Sequence, residues 1–135
     1  MPWQLLLEQV RYAGRYATPE EGERALRAVL TVLGGQLSDE ESAELARLLP
    51  REAGQLLVAQ PSLAEPLSAP AFVGAVAFRL APTTSPQARW ATSTVLALVA
   101  QHAGRPLTRR LLAKLPPGHA VLFGQSGFTP TAAAA

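Results

Sequence analysis

The sequence predicts an all-α helical bundle of about eight helices, built from two tandem four-helix pseudo-repeats. Three observations predict it. Ala and Leu supply 47 of the 135 residues and Ile is absent; Ala and Leu lead the helix scale, whereas strands favour β-branched and aromatic residues. Residues 25–57 (ALRAVLTVLGGQLSDEESAELARLLPREAGQLL) and 91–123 (ATSTVLALVAQHAGRPLTRRLLAKLPPGHAVLF) align 66 positions apart without a gap. Helix start signals of the Ser/Thr-x-x-Glu/Gln kind recur with the same period. Seven of the 33 aligned positions are identical: Ala25/Ala91, Val29/Val95, Leu30/Leu96, Leu45/Leu111, Leu49/Leu115, Pro50/Pro116 and Leu56/Leu122. These are apolar residues and a proline, so the duplicated feature is a core pattern and not a reactive site.

The elements follow in order. A first helix spans about Trp3 to Arg15 and places Leu6, Val10 and Ala13 on one face at i, i+4 and i+7. Thr18-Pro19-Glu20-Glu21 starts a second: Thr18 caps, Pro19 suits the first helical position and Glu21 completes a capping box. Its apolar stripe is Leu26, Val29, Leu30 and Leu33, and Gly34-Gly35 stops it. Ser38-Asp39-Glu40-Glu41 is a second capping box, opening a helix with Ala43, Leu45, Ala46, Leu48 and Leu49. Pro50 pushes Leu49 toward an extended conformation and ends that helix. A short fourth helix covers Arg51 to Val58, closing a first repeat at about 3–58.

A proline-bearing hinge, 59–68, leads into the second repeat, 69–124. Its helices are expected at about Ala69–Leu80, with Phe72, Val76 and Leu80 inward, then Pro86–Ala103, Pro106–Lys114 and Pro117–Gly124. Thr84-Ser85-Pro86-Gln87 reproduces the first capping box in register. The whole of 1–124 reads as one domain, and 125–135 as an aperiodic tail expected to be disordered. A unit of about 66 residues does not easily cover its own apolar face, whereas two stacked units can. The sequence leaves open a pseudo-two-fold or a translational relation between them.

The element A-x-x-x-V-L-x-x-L … L-S-x-x-E-x-x-x-L-x-x-x-L-P, followed by an apolar pair, is carried by Ala25, Val29, Leu30, Leu33, Leu37, Ser38, Glu41, Leu45, Leu49, Pro50, Leu56 and Leu57. It resembles the bacterial domain-of-unknown-function family 2267, which similarly has a duplicated helical unit ending in Leu-Pro. The resemblance covers about residues 5–124 and implies that fold. It implies no activity, no cofactor and no catalytic residue. The second copy departs from the pattern: Arg105 and Pro106 replace the acids that follow the stop in the first, so the copies are not expected to do identical work.

Cysteine is absent, which excludes disulfides and thiol chemistry. With no secretion-signal pattern in MPWQLLLEQVRYAGR, a cytoplasmic protein is expected. The uncharged run Trp90–Gly104 has 15 residues and includes Thr92, Ser93, Thr94, Gln101 and His102; a membrane span needs about 18–20 apolar residues, so no membrane association is expected. Net charge is only +2, and eleven of the twelve basic residues are Arg.

Charge is split along the chain. All ten acids lie at or before Glu65, and residues 66–135 carry Arg79, Arg89, Arg105, Arg109, Arg110 and Lys114 with no acid. Three readings stand. The copies pack on each other with complementary fields; or Phe72–Phe78 and Trp90–Val99 form a face for another subunit or protein; or Arg105, Arg109, Arg110 and Lys114 meet an anion such as a nucleic acid. Four charges without interleaved aromatics make a thin nucleic-acid footprint.

Candidates for chemistry are few. His102 and His119 stand 17 residues apart with no acid near either in sequence, so no metal site is expected. His102 reads as a helix-end residue facing the C-terminal dipole, and His119 as a surface residue of the last helix. Asp39, Glu40, Glu41 and Glu44 read as helix-start acids rather than an acid–base pair. Gly34-Gly35 lacks the strand and the Lys-Ser/Thr of a phosphate loop. The reading is therefore a non-catalytic protein-interaction or regulatory module that self-associates or binds a partner. Its candidate interface residues are Phe72, Val76, Phe78, Trp90 and Leu98. Trp90, early in its helix, also fits a core position. The alternative is anion or nucleic-acid binding through the basic second half.

Overall fold

The computed structural model describes residues 1–124. Eight helices follow in order among them: α1 (Trp3–Gly14), α2 (Pro19–Gly34), α3 (Asp39–Ala46), α4 (Arg51–Val58), α5 (Ala69–Leu80), α6 (Ser85–Ala103), α7 (Arg105–Lys114) and α8 (His119–Leu122). The described residues contain no strand, so the fold is the all-α bundle that the composition predicts. The expectation for residues 125–135 lies outside the described residues.

The helix starts come from local chemistry. Thr18 Oγ1 accepts the Glu21 N–H at 3.2 Å, and the Glu21 carboxylate accepts the Thr18 N–H at 3.3 Å. Ser38 and Glu41 repeat the exchange at 3.1 and 2.9 Å, and Thr84 and Gln87 at 3.2 and 3.0 Å. Each box satisfies backbone N–H groups that a helix start leaves without partners. Pro50 and Leu115 carry extended ψ angles at the two Leu-Pro breaks. Two elements are shorter than predicted: α3 ends at Ala46, ahead of Leu48 and Leu49, and α8 begins at His119 and not at Pro117, because Gly118 takes φ +99° and cannot belong to a right-handed turn.

The 66-residue period sets the architecture. The helix pairs α1/α5, α2/α6 and α3/α7 each start 66 positions apart, and α1 and α5 are both 12 residues long. Equivalent residues are buried together: Leu6 with Phe72, Val10 with Val76, Val29 with Val95, Leu30 with Leu96, Leu45 with Leu111, Leu49 with Leu115 and Leu57 with Phe123. All of them join one core shared by both units. Ala13, predicted to be inward, is exposed, and Gly14 is buried instead. The buried face of α1 runs through Leu6, Leu7, Val10 and Gly14, which turns Ala13 to the outside.

The structure also fixes how the units are related. Helix α2 packs on its own counterpart α6, and α1·α6 is matched by α2·α5. The Trp90 indole N–H donates to the Gly14 carbonyl at 2.8 Å, while the Arg24 guanidinium donates to the Leu80 carbonyl at 3.2 Å. Arg24 occupies the position equivalent to Trp90, and Gly14 the position equivalent to Leu80. The Arg110 guanidinium binds the carboxylate of Glu44, its own counterpart, with one N–H at 2.6 Å. Contacts that are reciprocal, or that join a position to its own equivalent, belong to a two-fold relation and not to a translation. The units are related by a pseudo-two-fold axis.

The Gly34-Gly35 pair ends α2 without a left-handed cap. Gly35 caps the helix at φ −73°, an ordinary right-handed conformation. Gly34 itself lies against the Leu57 carbonyl of α4, where a Cβ would collide with backbone. The glycine lets two helices of the first unit approach closely.

Candidate functional site

At one end of the pseudo-two-fold axis the links 15–18 and 81–84 face each other. A cleft of about 620 Å³ opens between them. Its lining comes largely in equivalent pairs: Gly14 with Leu80, Tyr16 with Pro82, Ala17 with Thr83, Glu21 with Gln87, Arg24 with Trp90 and Ala25 with Ala91. The Trp90–Gly14 and Arg24–Leu80 hydrogen bonds join its two sides. Where the first unit has an arginine, the second has an indole.

The chemistry of the cleft follows from its side chains. The Tyr16 ring lies over Gly14 so closely that a Cβ there would strike it. The Tyr16 hydroxyl is buried and has no hydrogen-bond partner. Burial, and then the neighbouring Glu21 carboxylate, push its phenol above the usual tyrosine range. Glu21 is the acid that lines the cleft. Its carboxylate is held by the N–H groups of Ala17 at 3.0 Å and Thr18 at 3.3 Å. Arg15 and Arg24 are exposed there, and neither forms an ion pair among the described residues. Arg15 caps α1 in the left-handed region at φ 57°, where glycine is the ordinary choice.

The sequence did not single out this cleft. No motif marks it, because its parts come from two links 66 residues apart. The available signal was the repeat itself: both links span the same register, and alignment sets Trp90 against Arg24.

The predicted interface residues divide. Phe72 and Val76 are fully buried and Leu98 is 8% exposed, so these three are corrected to core positions. Phe72 and Val76 lie on the stripe equivalent to Leu6 and Val10, and Leu98 is buried as its equivalent Val32 is. Phe78 is 85% exposed, as its equivalent Tyr12 is at 88%, and Trp90 is 51% exposed. Trp90 is neither core nor free surface: its indole N–H ties the two units together. The outer side of α5 and the start of α6 form a second groove of about 440 Å³, lined by Pro70, Val73, Gly74, Ala77, Pro86 and Arg89 among others.

The basic residues divide as well. Arg110 is held by Glu44, and Lys114 meets Glu41 at 2.9 Å. Arg105 and Arg109 are exposed without an ion pair among the described residues. The helix-start acids therefore do double work: Glu41 caps α3 and grips α7. Burial alone would raise the Glu41 carboxyl, but the Ser38 N–H and Lys114 together hold it below the usual carboxylate range.

Both histidines are placed differently from expectation. His119 is 1% exposed, not on the surface. Its ring meets Phe72 edge-on, with centroids 5.8 Å apart, and its Nδ1 pairs with the Pro116 carbonyl at 3.0 Å. His102 reaches across to the Gln9 side chain at 2.9 Å rather than serving only its own helix end. Burial lowers both imidazoles from their usual range. Lowered histidines leave the unfolded chain binding more protons, so stability falls as pH drops below about 6.5. Urea midpoints should be lower at pH 5 than at pH 7.5, and His119→Leu should flatten that difference. A midpoint that does not change over this interval would contradict the burial of both rings.

No three His, Asp or Glu side chains converge as metal ligands among the described residues. No described helix is long and apolar enough to cross a membrane. In comparison with known proteins, the sequence matches the family described as "Uncharacterized conserved protein (DUF2267)" over residues 3–122. No curated protein matches it.

Proposed function

The chain belongs to the DUF2267 family, and from that premise we propose that it is a non-catalytic module acting through protein contact, with a second copy of itself as the partner of α5. One observation carries this reading. Helix α5 exposes Phe78 almost completely, and the same helix lines an apolar groove with Val73 and Ala77. Exposed aromatic surface of this kind is what contact sites supply.

Apolar complementarity favours a second copy as occupant. The α5 groove is rimmed by Arg89, and no acid occurs anywhere in the second unit. The matching outer side of α1 exposes Leu5 and Tyr12 together with Glu8 and Arg11. An α1 ridge laid in an α5 groove joins apolar to apolar. Such contact between unlike faces builds rings or open chains rather than a closed dimer by default.

Light scattering over a concentration series tests the proposal. The mass should rise above that of the monomer, and Phe78→Ser should return it to the monomer without loss of helicity. A constant monomer mass at high concentration, or a Phe78→Ser variant that associates equally well, would overturn it.

A further inference from the structure

We propose that the cleft on the pseudo-two-fold axis binds a small aromatic acid, a planar ring carrying a carboxylate. Trp90 is half-exposed and its N–H is already committed to the Gly14 carbonyl. What the indole has left to offer is apolar aromatic surface, which pairs with another ring. Arg24 uses one N–H on the Leu80 carbonyl, and a guanidinium carries five in a planar fork suited to a carboxylate. Arg15 adds a second exposed cation, at a backbone conformation where glycine would be the easier residue. Glu21 turns one carboxylate oxygen to two backbone N–H groups and pairs with neither arginine.

Size and setting agree with that chemistry. The cleft, at about 620 Å³, falls in the usual range of about 300–1,000 Å³ for small-molecule sites. It joins an aromatic wall from the second unit, Trp90, to two cations from the first, Arg15 and Arg24. The ligand would therefore bridge the pseudo-dimer at its axis. This site meets the α5 groove only at Pro86, and its test does not depend on self-association.

The indole N–H resonances of the whole chain, labelled with 15N, provide the test. Trp90 and Trp3 give one signal each, and Trp3, which lies under Arg27, is the internal control. Phenylacetate should move the Trp90 signal saturably and leave that of Trp3 in place. Acetate, which lacks the ring, and phenylacetamide, which lacks the charge, should bind at least about tenfold more weakly. Arg15→Gln with Arg24→Gln should weaken phenylacetate about tenfold or more. Arg15→Gln alone, which removes no contact between the units, should show part of the same loss. The proposal is overturned if the Trp90 signal stays fixed up to about 10 mM phenylacetate. It is equally overturned if all three probes act alike, or if phenylacetate binds the folded Arg15→Gln and double variants unchanged.

Discussion

Phe72→Ala is expected to cost about 3–5 kcal/mol of stability, the range for deleting a buried aromatic ring. Phe72 has no exposed surface. It stands edge-on to the His119 ring, with planes 88° apart, and so carries α8, the shortest helix. Truncation opens a cavity in the core and removes the ring against which a buried imidazole rests. Phe72→Leu, which copies the equivalent Leu6, should lose much less. Urea denaturation of both variants measures the difference. A loss for Phe72→Ala under about 1 kcal/mol, the level of an average substitution, would refute the core assignment of α5.

The second large effect is at Gly34. An added Cβ there meets the Leu57 carbonyl, and a backbone atom cannot rotate away as a side chain can. Relief requires α2 and α4 to separate, so Gly34→Ala should cost at least the about 1–3 kcal/mol typical of overpacking. Gly74 is the control. It lies inside α5 with nothing within 4 Å of an added Cβ, and Gly74→Ala should stabilise by up to about 1 kcal/mol through helix propensity. Two identical substitutions are thus expected to shift the thermal midpoint in opposite directions. Shifts of the same sign and size would mean that the α2–α4 contact is looser than described.

Helix positions were legible because their causes are local. Caps at Thr18, Ser38 and Thr84 and breaks at Pro50 and Pro116 act within a few residues, and α4 and α5 begin and end where the sequence places them. Burial was less legible where it depends on residues distant in the sequence. Phe72 and Leu98 read equally well as core or as interface, since both environments select the same apolar side chain. His119 was misplaced because its burial depends on Phe72, 47 positions away, and on Gly118 turning the chain inward. The cleft was illegible because it exists only once the two units are rotated onto each other. A periodic pattern states that two units stack but does not state the rotation.

The Glu44–Arg110 pair bears on how this chain avoids pairing in the wrong way. Were the two halves identical and separate, the position on the axis would face itself, acid against acid or cation against cation. Opposite charges can occupy one symmetric position only after the copies differ. Covalent fusion permits this, because each half then always meets the other and never needs to recognise its own kind. Two first halves from different chains would now set Glu44 against Glu44, and two second halves Arg110 against Arg110. The charge split between the halves thus acts as a lock that admits the unlike half and rejects the like one.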